Sequence, residues 1–258
     1  MKILLSNDDG VMAPGIRSLF KELNPSYETT IIAPLEERST TGHSLSLDRP
    51  LRLELLEKNI YGCSGFPGDC VLMGLGHLMK GSRPDLVISG INRGANLGQD
   101  LYYSGTIAAA REAAFHKVPS IAVSLVFNAV NEEHHYKVAA TFINWCVEAG
   151  LHHGCPPYTL LNINVPNLPM EEIKGCKLTE IGFRQYSEEI HARMDARNRE
   201  YFWIAGHYEG FNDHPESDCQ ALKDGYVAIT PHALIDRCDK NYAQLSSSVE
   251  KLNAKFFT

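Results

Sequence analysis

The sequence predicts an α/β protein with a doubly wound, largely parallel sheet, and three observations carry that prediction. Short runs rich in Ile, Val and Leu occur at residues 3–6, 29–33, 86–89, 121–124 and 160–165. They lack strict alternation, as expected of strands covered on both faces. Helical stretches at 16–23, 70–79, 106–115 and 136–149 fall between them. The first and third runs end in turns rich in Gly, Asp and Asn, at the sheet edge where open α/β folds bind ligands.

Taken in order, the first strand enters Asn7-Asp8-Asp9-Gly10, and Pro14 suits the first turn of the helix that follows. The second strand leads to a polar loop, Ser39-Thr40-Thr41-Gly42-His43-Ser44. Residues 45–56 alternate well enough for an outlying strand or hairpin. Gly65-Phe66-Pro67-Gly68-Asp69 precedes the second helix, with Asp69 placed as its N-cap and Cys70 as a buried helix residue. After 165 the texture changes. Pro166-Asn167-Leu168-Pro169 reads as a break, followed by strands near 177–181, 201–205 and 226–230. A charged loop at 188–200 and a terminal helix at 242–256 complete the pattern. Residues 1–165 are therefore expected to form the core. Residues 166–258 form a smaller, antiparallel-rich extension suited to subunit contacts.

Composition sets further bounds. The chain has 258 residues, 44% of them hydrophobic, which suffices for a substantial core. A net charge of −7 argues against a nucleic-acid polymer or a membrane surface as general partner. The opening residues read as a strand, not a secretory leader, and no apolar run reaches membrane-spanning length. The expectation is a cytoplasmic protein. Cysteines 63, 70, 146, 155, 176, 219 and 238 are scattered, without a C-x-x-C pair, and read as reduced thiols. The doublets His134-His135 and His152-His153 lack metal-ligand spacing.

Three segments point to chemistry. Asp8 and Asp9 repel each other, and burial makes each charge costlier, so a hard divalent cation such as Mg²⁺ or Mn²⁺ is the simplest compensation. The alternative is a plain turn with a capping Asp. Residues 89–100 carry Gly90, Gly94 and Gly98 between Asn92 and Asn96, where backbone can approach a ligand and amides can meet a cation or a phosphate. The spacing is that of neither a dinucleotide fingerprint nor a P-loop. Ser104-Gly105-Thr106 opens an alanine-rich helix, whose N-terminal N–H groups and dipole favour an anion. An ordinary N-cap is the simpler account of that segment alone. His232 is a possible substrate contact. Together the pieces suit phosphate-ester hydrolysis, which needs a cation and positioned donors around the phosphoryl group.

These motifs resemble the SurE survival-protein family. The resemblance rests on Ser6-Asn7-Asp8-Asp9-Gly10 with Ala13-Pro14-Gly15, and on Ser89-Gly90-Ile91-Asn92 with Gly94, Asn96, Gly98 and Asp100. It continues through Tyr103-Ser104-Gly105-Thr106 and, more weakly, through 161–166 and 225–231. It implies a Rossmann-like three-layer α/β/α core and a homodimer or homotetramer built by exchanged C-terminal elements. The implied activity is metal-dependent hydrolysis of nucleoside 5′- and 3′-monophosphates, and in some members of short polyphosphate. One divalent cation per subunit would be held by Asp8, Asp9, Ser39 and Asn92, with the two aspartates central to catalysis. Asn96, Ser104, Gly105 and Thr106 would contact phosphate. Two departures stand out. Thr40 occupies the position after Ser39 where the family usually has glycine, so a positive φ there would strain it. Gly65-Phe66-Pro67 replaces the usual Gly-Thr-Pro.

Two rivals frame this reading. A haloacid-dehalogenase-type phosphatase needs Asp-x-Asp, a spacing that Asn7-Asp8-Asp9-Gly10 lacks. A non-catalytic nucleotide- or metal-sensing module would bind without turnover.

Overall fold

A computed structural model of the chain describes residues 1–127, 133–212 and 214–235. In chain order the elements begin β1 (Lys2–Ser6), α1 (Pro14–Leu23), β2 (Glu28–Pro34), β3 (Leu53–Glu57), β4 (Ile60–Cys63) and α2 (Pro67–Met73). They continue with β5 (Leu86–Arg93), α3 (Gly105–Phe115), β6 (Ser120–Val126), α4 (Tyr136–Glu148) and β7 (Thr159–Pro166). The remainder comprises β8 (Cys176–Leu178), β9 (Arg184–Tyr186), β10 (Ile190–Met194), β11 (Glu200–Ile204), β12 (Tyr208–Phe211), α5 (Asp218–Lys223) and β13 (Val227–Ala233). The expected terminal helix at 242–256 lies outside the described residues.

The central sheet has the order β3-β4-β2-β1-β5-β6-β7-β13-β8. From β4 to β7 every neighbouring pair is parallel. Successive strands step outward from β1 on one side and from β5 on the other. The winding therefore reverses between β1 and β5, which leaves a crevice at their carboxyl ends.

Each central strand is apolar because both of its faces are covered. Ile3 and Leu5 pack with Ile16, Leu19 and Leu23 of α1 and with Ile143 of α4. Leu4 points the other way, onto Cys70 and Val71 of α2 and Ala109 and Ala113 of α3. Burial of each such Leu or Ile side chain contributes about 1.5–3 kcal/mol. The helices thus form one layer on each side of the sheet. α3 is buried along almost its whole length, which its alanines permit by letting it lie close to the strands.

Several expectations are corrected at the margins. The predicted outlying strand is confined to β3, which turns through Lys58 and Asn59 (φ 62°) to pair antiparallel with the unanticipated β4. The second helix is α-helical only over α2 and then widens into a π-type turn at Gly74–Leu78. The third strand runs four residues past its predicted end, through a bulge between Ser89 and Asn92. Residues 188–200, expected as a charged loop, contain β10, which pairs with β11. Asp195 closes that hairpin by accepting from the N–H groups of Arg197 and Arg199 at 2.8 and 2.9 Å. The charged residues flanking β10, such as Glu188, Glu189, Asp195 and Arg197, misled the reading, and both of the hairpin's strands are exposed. Finally, β13 pairs antiparallel with β7, and β8 parallel with β13, so the sheet continues past residue 165.

Gly15 fixes how closely α1 approaches the crevice: a Cβ there would overlap the Ile91 carbonyl oxygen and crowd Tyr136. Elsewhere in a helix, Gly→Ala adds roughly 1 kcal/mol of stability. Here Gly15→Ala should instead destabilise by about 1–3 kcal/mol, read as a lower urea midpoint.

Candidate active site

The turn after β1 is built by Asn7, whose Nδ2 donates to the Gly10 carbonyl at 2.9 Å. That closure carries Asp8 and Asp9 into the crevice at the β1–β5 switch point. Asp8 is 4% exposed. Its backbone carbonyl accepts from the Arg38 N–H at 2.7 Å, and its carboxylate accepts from the Thr106 hydroxyl in the first turn of α3. Gly105 makes that approach possible, because a Cβ there would lie 2.7 Å from the Asp8 Cβ. Asp9 turns to the other side, where its Oδ2 accepts from the Arg93 N–H at 3.1 Å.

Both carboxyls are held above their ordinary range. Burial raises Asp8 to about 6, with the neighbouring Asp9 adding to the rise and the Thr106 hydroxyl opposing it. Burial also raises Asp9, against the Arg93 N–H. Among the described residues neither carboxylate forms an ion pair. Two adjacent, desolvated and unpaired carboxylates form a donor set that fits a hard divalent cation. Among the described residues no group of three or more His, Cys, Asp or Glu is arranged for a metal, so further donors must be neutral oxygens.

Asn92 and Ser39 are the neutral candidates. Asn92 sits at the end of β5, and its Nδ2 donates to the Gly94 carbonyl at 2.9 Å, which leaves its Oδ1 as the end able to ligate. Ser39 is exposed, and its hydroxyl donates to Glu37 Oε1 at 2.7 Å. Its loop is nevertheless tightly held. Arg38 is tied to Asp8, the Thr41 hydroxyl donates to the Arg38 carbonyl at 2.8 Å, and the Gly42 N–H donates to the Tyr103 carbonyl at 3.0 Å. His43 Nε2 then lies 2.8 Å from Glu112 Oε2, and His116 Nε2 lies 3.2 Å from Oε1 of the same carboxylate. Burial alone would raise Glu112, yet His43 and His116 bring it below its usual range. Thr40 does adopt positive φ, at 56°.

The N-terminus of α3 matches its sequence. Ser104 caps it, accepting from the Ile107 N–H at 3.1 Å. The N–H groups of Gly105 and Thr106 belong to the first turn, which has no intrahelical acceptor for them. Asn96 lies deeper than expected. Its Nδ2 donates to Ser124 Oγ at 2.8 Å, and its carbonyl accepts from Asn162 and Asn164 at 2.8 and 3.0 Å. Any phosphate contact from Asn96 falls to its second amide hydrogen.

Other assignments shift. Asp69 is the third residue of α2, not its cap, and its carboxylate accepts from the N–H groups of Phe66 and Ser46 at 2.9 and 3.0 Å. Cys70 is fully buried, and the six described cysteines are free thiols. Phe66, at the unusual family position, receives Arg38 and Arg49, each 5.6 Å from its ring. His232 lies within β13, its ring edge-on to Tyr102 at 5.9 Å. The sequence reading missed Arg93, Glu112 and the Asn162/Asn164 pair. Only the last carried a signal, two asparagines spaced to share one strand face.

The fold and crevice define a class: doubly wound α/β proteins with an anion-ready helix terminus facing an acidic, cation-ready turn. Comparison with known proteins narrows that class. The family model described as Survival protein SurE matches residues 3–188, and the chain belongs to that family. It is 44% identical over 231 residues to the 5′-nucleotidase SurE of Geobacter metallireducens, covering 90% of each chain. It is 42% identical to that of Pseudomonas fluorescens, covering 98% of this chain and all of the other. The crystal structure of the SurE protein from Aquifex aeolicus superposes with a TM-score of 0.84 at 36% identity, covering 98% of this chain and all of that one. The Rossmann-like, mostly parallel fold is thereby established. Among the described residues no helix is long and apolar enough to cross a membrane.

Two predictions follow from the geometry. The folded pKa of Asp8, about 6, lies above its unfolded value of 3.8. The group is therefore most favourable to folding below pH 3.8, and that contribution is lost as pH rises through about 6. Asp8→Asn should stabilise the metal-free protein at pH 7.5 by an amount on the order of 2–3 kcal/mol, and that gain should vanish near pH 3.5, as read by urea titrations at both pH values. Thr40→Gly should relieve a left-handed β-branched residue. Set against the extra chain entropy of glycine, the net gain should be about 1 kcal/mol, whereas Thr→Gly at ordinary φ destabilises.

Proposed function

We propose that this chain is a metal-dependent 5′-nucleotidase that releases phosphate from nucleoside monophosphates, 3′-monophosphates and short polyphosphate included. One observation carries the reading: two adjacent carboxylates without an ion-pair partner among the described residues, Asp8 buried and Asp9 half-buried, sit at the switch point, with Asp8 against the N-terminus of α3. Relatives that align along almost the whole chain and are named 5′-nucleotidase SurE favour turnover over a sensor that only binds.

Asp8 and Asp9, with Asn92 and Ser39, would hold one divalent cation, Mg²⁺ or Mn²⁺. When bound, that cation neutralises charge on the phosphoryl oxygens and makes water a better nucleophile. The first-turn N–H groups of Gly105 and Thr106, the Ser104 cap and Asn96 receive the phosphoryl oxygens. The Thr106 hydroxyl stays on Asp8, holding that carboxylate on the α3 side of the crevice. Arg93, through its backbone N–H, holds Asp9 on the other side.

The protein acts in the cytoplasm as a homodimer or homotetramer. Support for assembly comes from the β10–β11 hairpin, where Ile190, Phe202, Trp203 and Ile204 are all exposed on the single chain. Large apolar side chains left exposed on both faces of a hairpin mark a surface for protein contact.

Purified protein with Mn²⁺ or Mg²⁺ should release phosphate from at least one nucleoside monophosphate. Asp8→Asn or Asp9→Asn should lower that rate by roughly a hundredfold or more. No release from any nucleotide with either metal would sink the reading, and full activity in both variants would sink the metal site.

A further inference from the structure

Glu112 is a buried carboxylate on the alanine-rich α3, and the chemistry of the β1–β5 crevice gives it no task. Burying a carboxylate is costly unless it is paired and hydrogen-bonded. Here each oxygen has a histidine, His43 Nε2 at 2.8 Å from Oε2 and His116 Nε2 at 3.2 Å from Oε1. The two contacts differ in reach. His116 is exposed and stands one turn further along the same helix, so it only steadies the carboxylate. His43 comes from the loop after β2, 69 residues away in sequence. Its ring is also held on two other sides. It stacks on Phe115 with centroids 5.8 Å apart, and a Cβ added at Gly68, in the first turn of α2, would touch it at 3.6 Å.

The loop is thus pinned at residue 43 between α2 and α3, and at its near end by the Arg38 N–H on the Asp8 carbonyl at 2.7 Å. Ser39 lies between those anchors, exposed and followed by the left-handed Thr40. An exposed hydroxyl has no packed wall to fix it, so the anchors set where it stands relative to Asp8 and Asp9. Gly42 adds a bond from its N–H to the Tyr103 carbonyl at 3.0 Å. A hydrogen bond to an ionised group is roughly twice as strong as a neutral one, which makes the Glu112 contact the firmer of the two. We propose that Glu112 is a positioning residue for the metal site: through His43 it fixes the loop that presents Ser39 to a cation held by Asp8 and Asp9. This rests on the metal site of the nucleotidase reading. Glu112 is not a catalytic residue, and its whole effect passes through Ser39.

Calorimetric titration of the metal-free protein with Mn²⁺ reads this effect without turnover. Groups that orient a metal ligand contribute ~10–100-fold to affinity, and Glu112 acts one step further out, so Glu112→Ala should weaken Mn²⁺ by about tenfold. His43→Phe keeps the stack on Phe115 and loses the bond to Glu112. It should weaken Mn²⁺ as much, and it carries the test if Glu112→Ala fails to fold. Glu112→Gln, which still accepts from His43, should retain most of the affinity. The double-mutant cycle with Ser39→Ala separates positioning from packing: in that background Glu112→Ala or His43→Phe should change Mn²⁺ affinity by less than about twofold. An equal loss in both backgrounds would overturn the proposal, as would no loss when Ser39 is present. If Ser39→Ala leaves Mn²⁺ affinity unmoved while Asp8→Asn lowers it, the positioning role falls and the nucleotidase reading stands. If wild type binds no Mn²⁺ and releases no phosphate from any nucleoside monophosphate, the nucleotidase reading falls and this proposal with it.

Discussion

The centre of this molecule depends on one buried contact, the Asp8 carboxylate against the Thr106 hydroxyl. It joins the turn after the first strand to the first turn of α3, elements far apart in sequence that must meet at the switch point. The contact demands a particular neighbour at 105, since any side chain would strike Asp8. It also sets the site's electrostatics. One hydroxyl lowers the carboxyl's pKa but does not neutralise a desolvated charge, and the adjacent Asp9 adds to the burden. The free chain therefore stores unfavourable electrostatics that a bound cation would relieve. That is the expected signature of a site selected for binding over stability.

Around that contact, the flanking loops are fastened at more than one point. α3 holds Asp8 at its first turn and His43 at Glu112 two turns later, so one rigid helix locates both the turn after β1 and the loop that carries Ser39. The loop after β5 is tied on two sides. Asn162 and Asn164 grip the Asn96 carbonyl from inside the sheet, and the buried Asp218 accepts from the N–H groups of Gly98 and Gly182 at 2.9 Å each. Arg184 reaches Asp100 at 2.6 Å from the same direction. The C-terminal region is therefore not an appendage to the catalytic core. It supplies two strands of the main sheet and braces the loop that carries Asn96.

How much of this was legible in the sequence follows from what each segment packs against. β1, β2, β6 and β7 are covered on both faces, so their apolar runs located them within a residue or two. β4 was missed because it is four residues long, lies near the sheet's margin and contains a glycine. β10 was missed because its side chains meet solvent and the residues on either side of it are charged. At the site, Asp8, Asp9, Ser104, Gly105 and Thr106 were legible because strand ends and helix starts are local signals, and the topology brings those ends together. Ser39 carried only a weak signal of its own, a hydroxyl in the loop after the second strand, which the resemblance strengthened, and its hydroxyl is turned to Glu37. Partners such as Arg93 to Asp9 act through the backbone, which no side-chain pattern records. Glu112 read as one more polar residue on an alanine helix until the fold set two histidines beside it.

The side-by-side spacing of the two aspartates has a geometric consequence. Asp8 and Asp9 lie in the bend just past β1, and that bend sends their carboxylates to opposite sides of the sheet. Asp8 accordingly meets α3, and Asp9 meets the cavity bordered by the start of α1 and by Tyr136 of α4. An Asp-x-Asp pair would direct both carboxylates to one layer and suit a nucleophile with a helper beside it. Adjacent aspartates instead reach both layers, so a cation held between them would stand at the seam of the crevice, beside the N-terminus of α3. The doublet thereby gives each side of the crevice its own carboxylate, fixed by the Thr106 hydroxyl on one side and by the Arg93 N–H on the other.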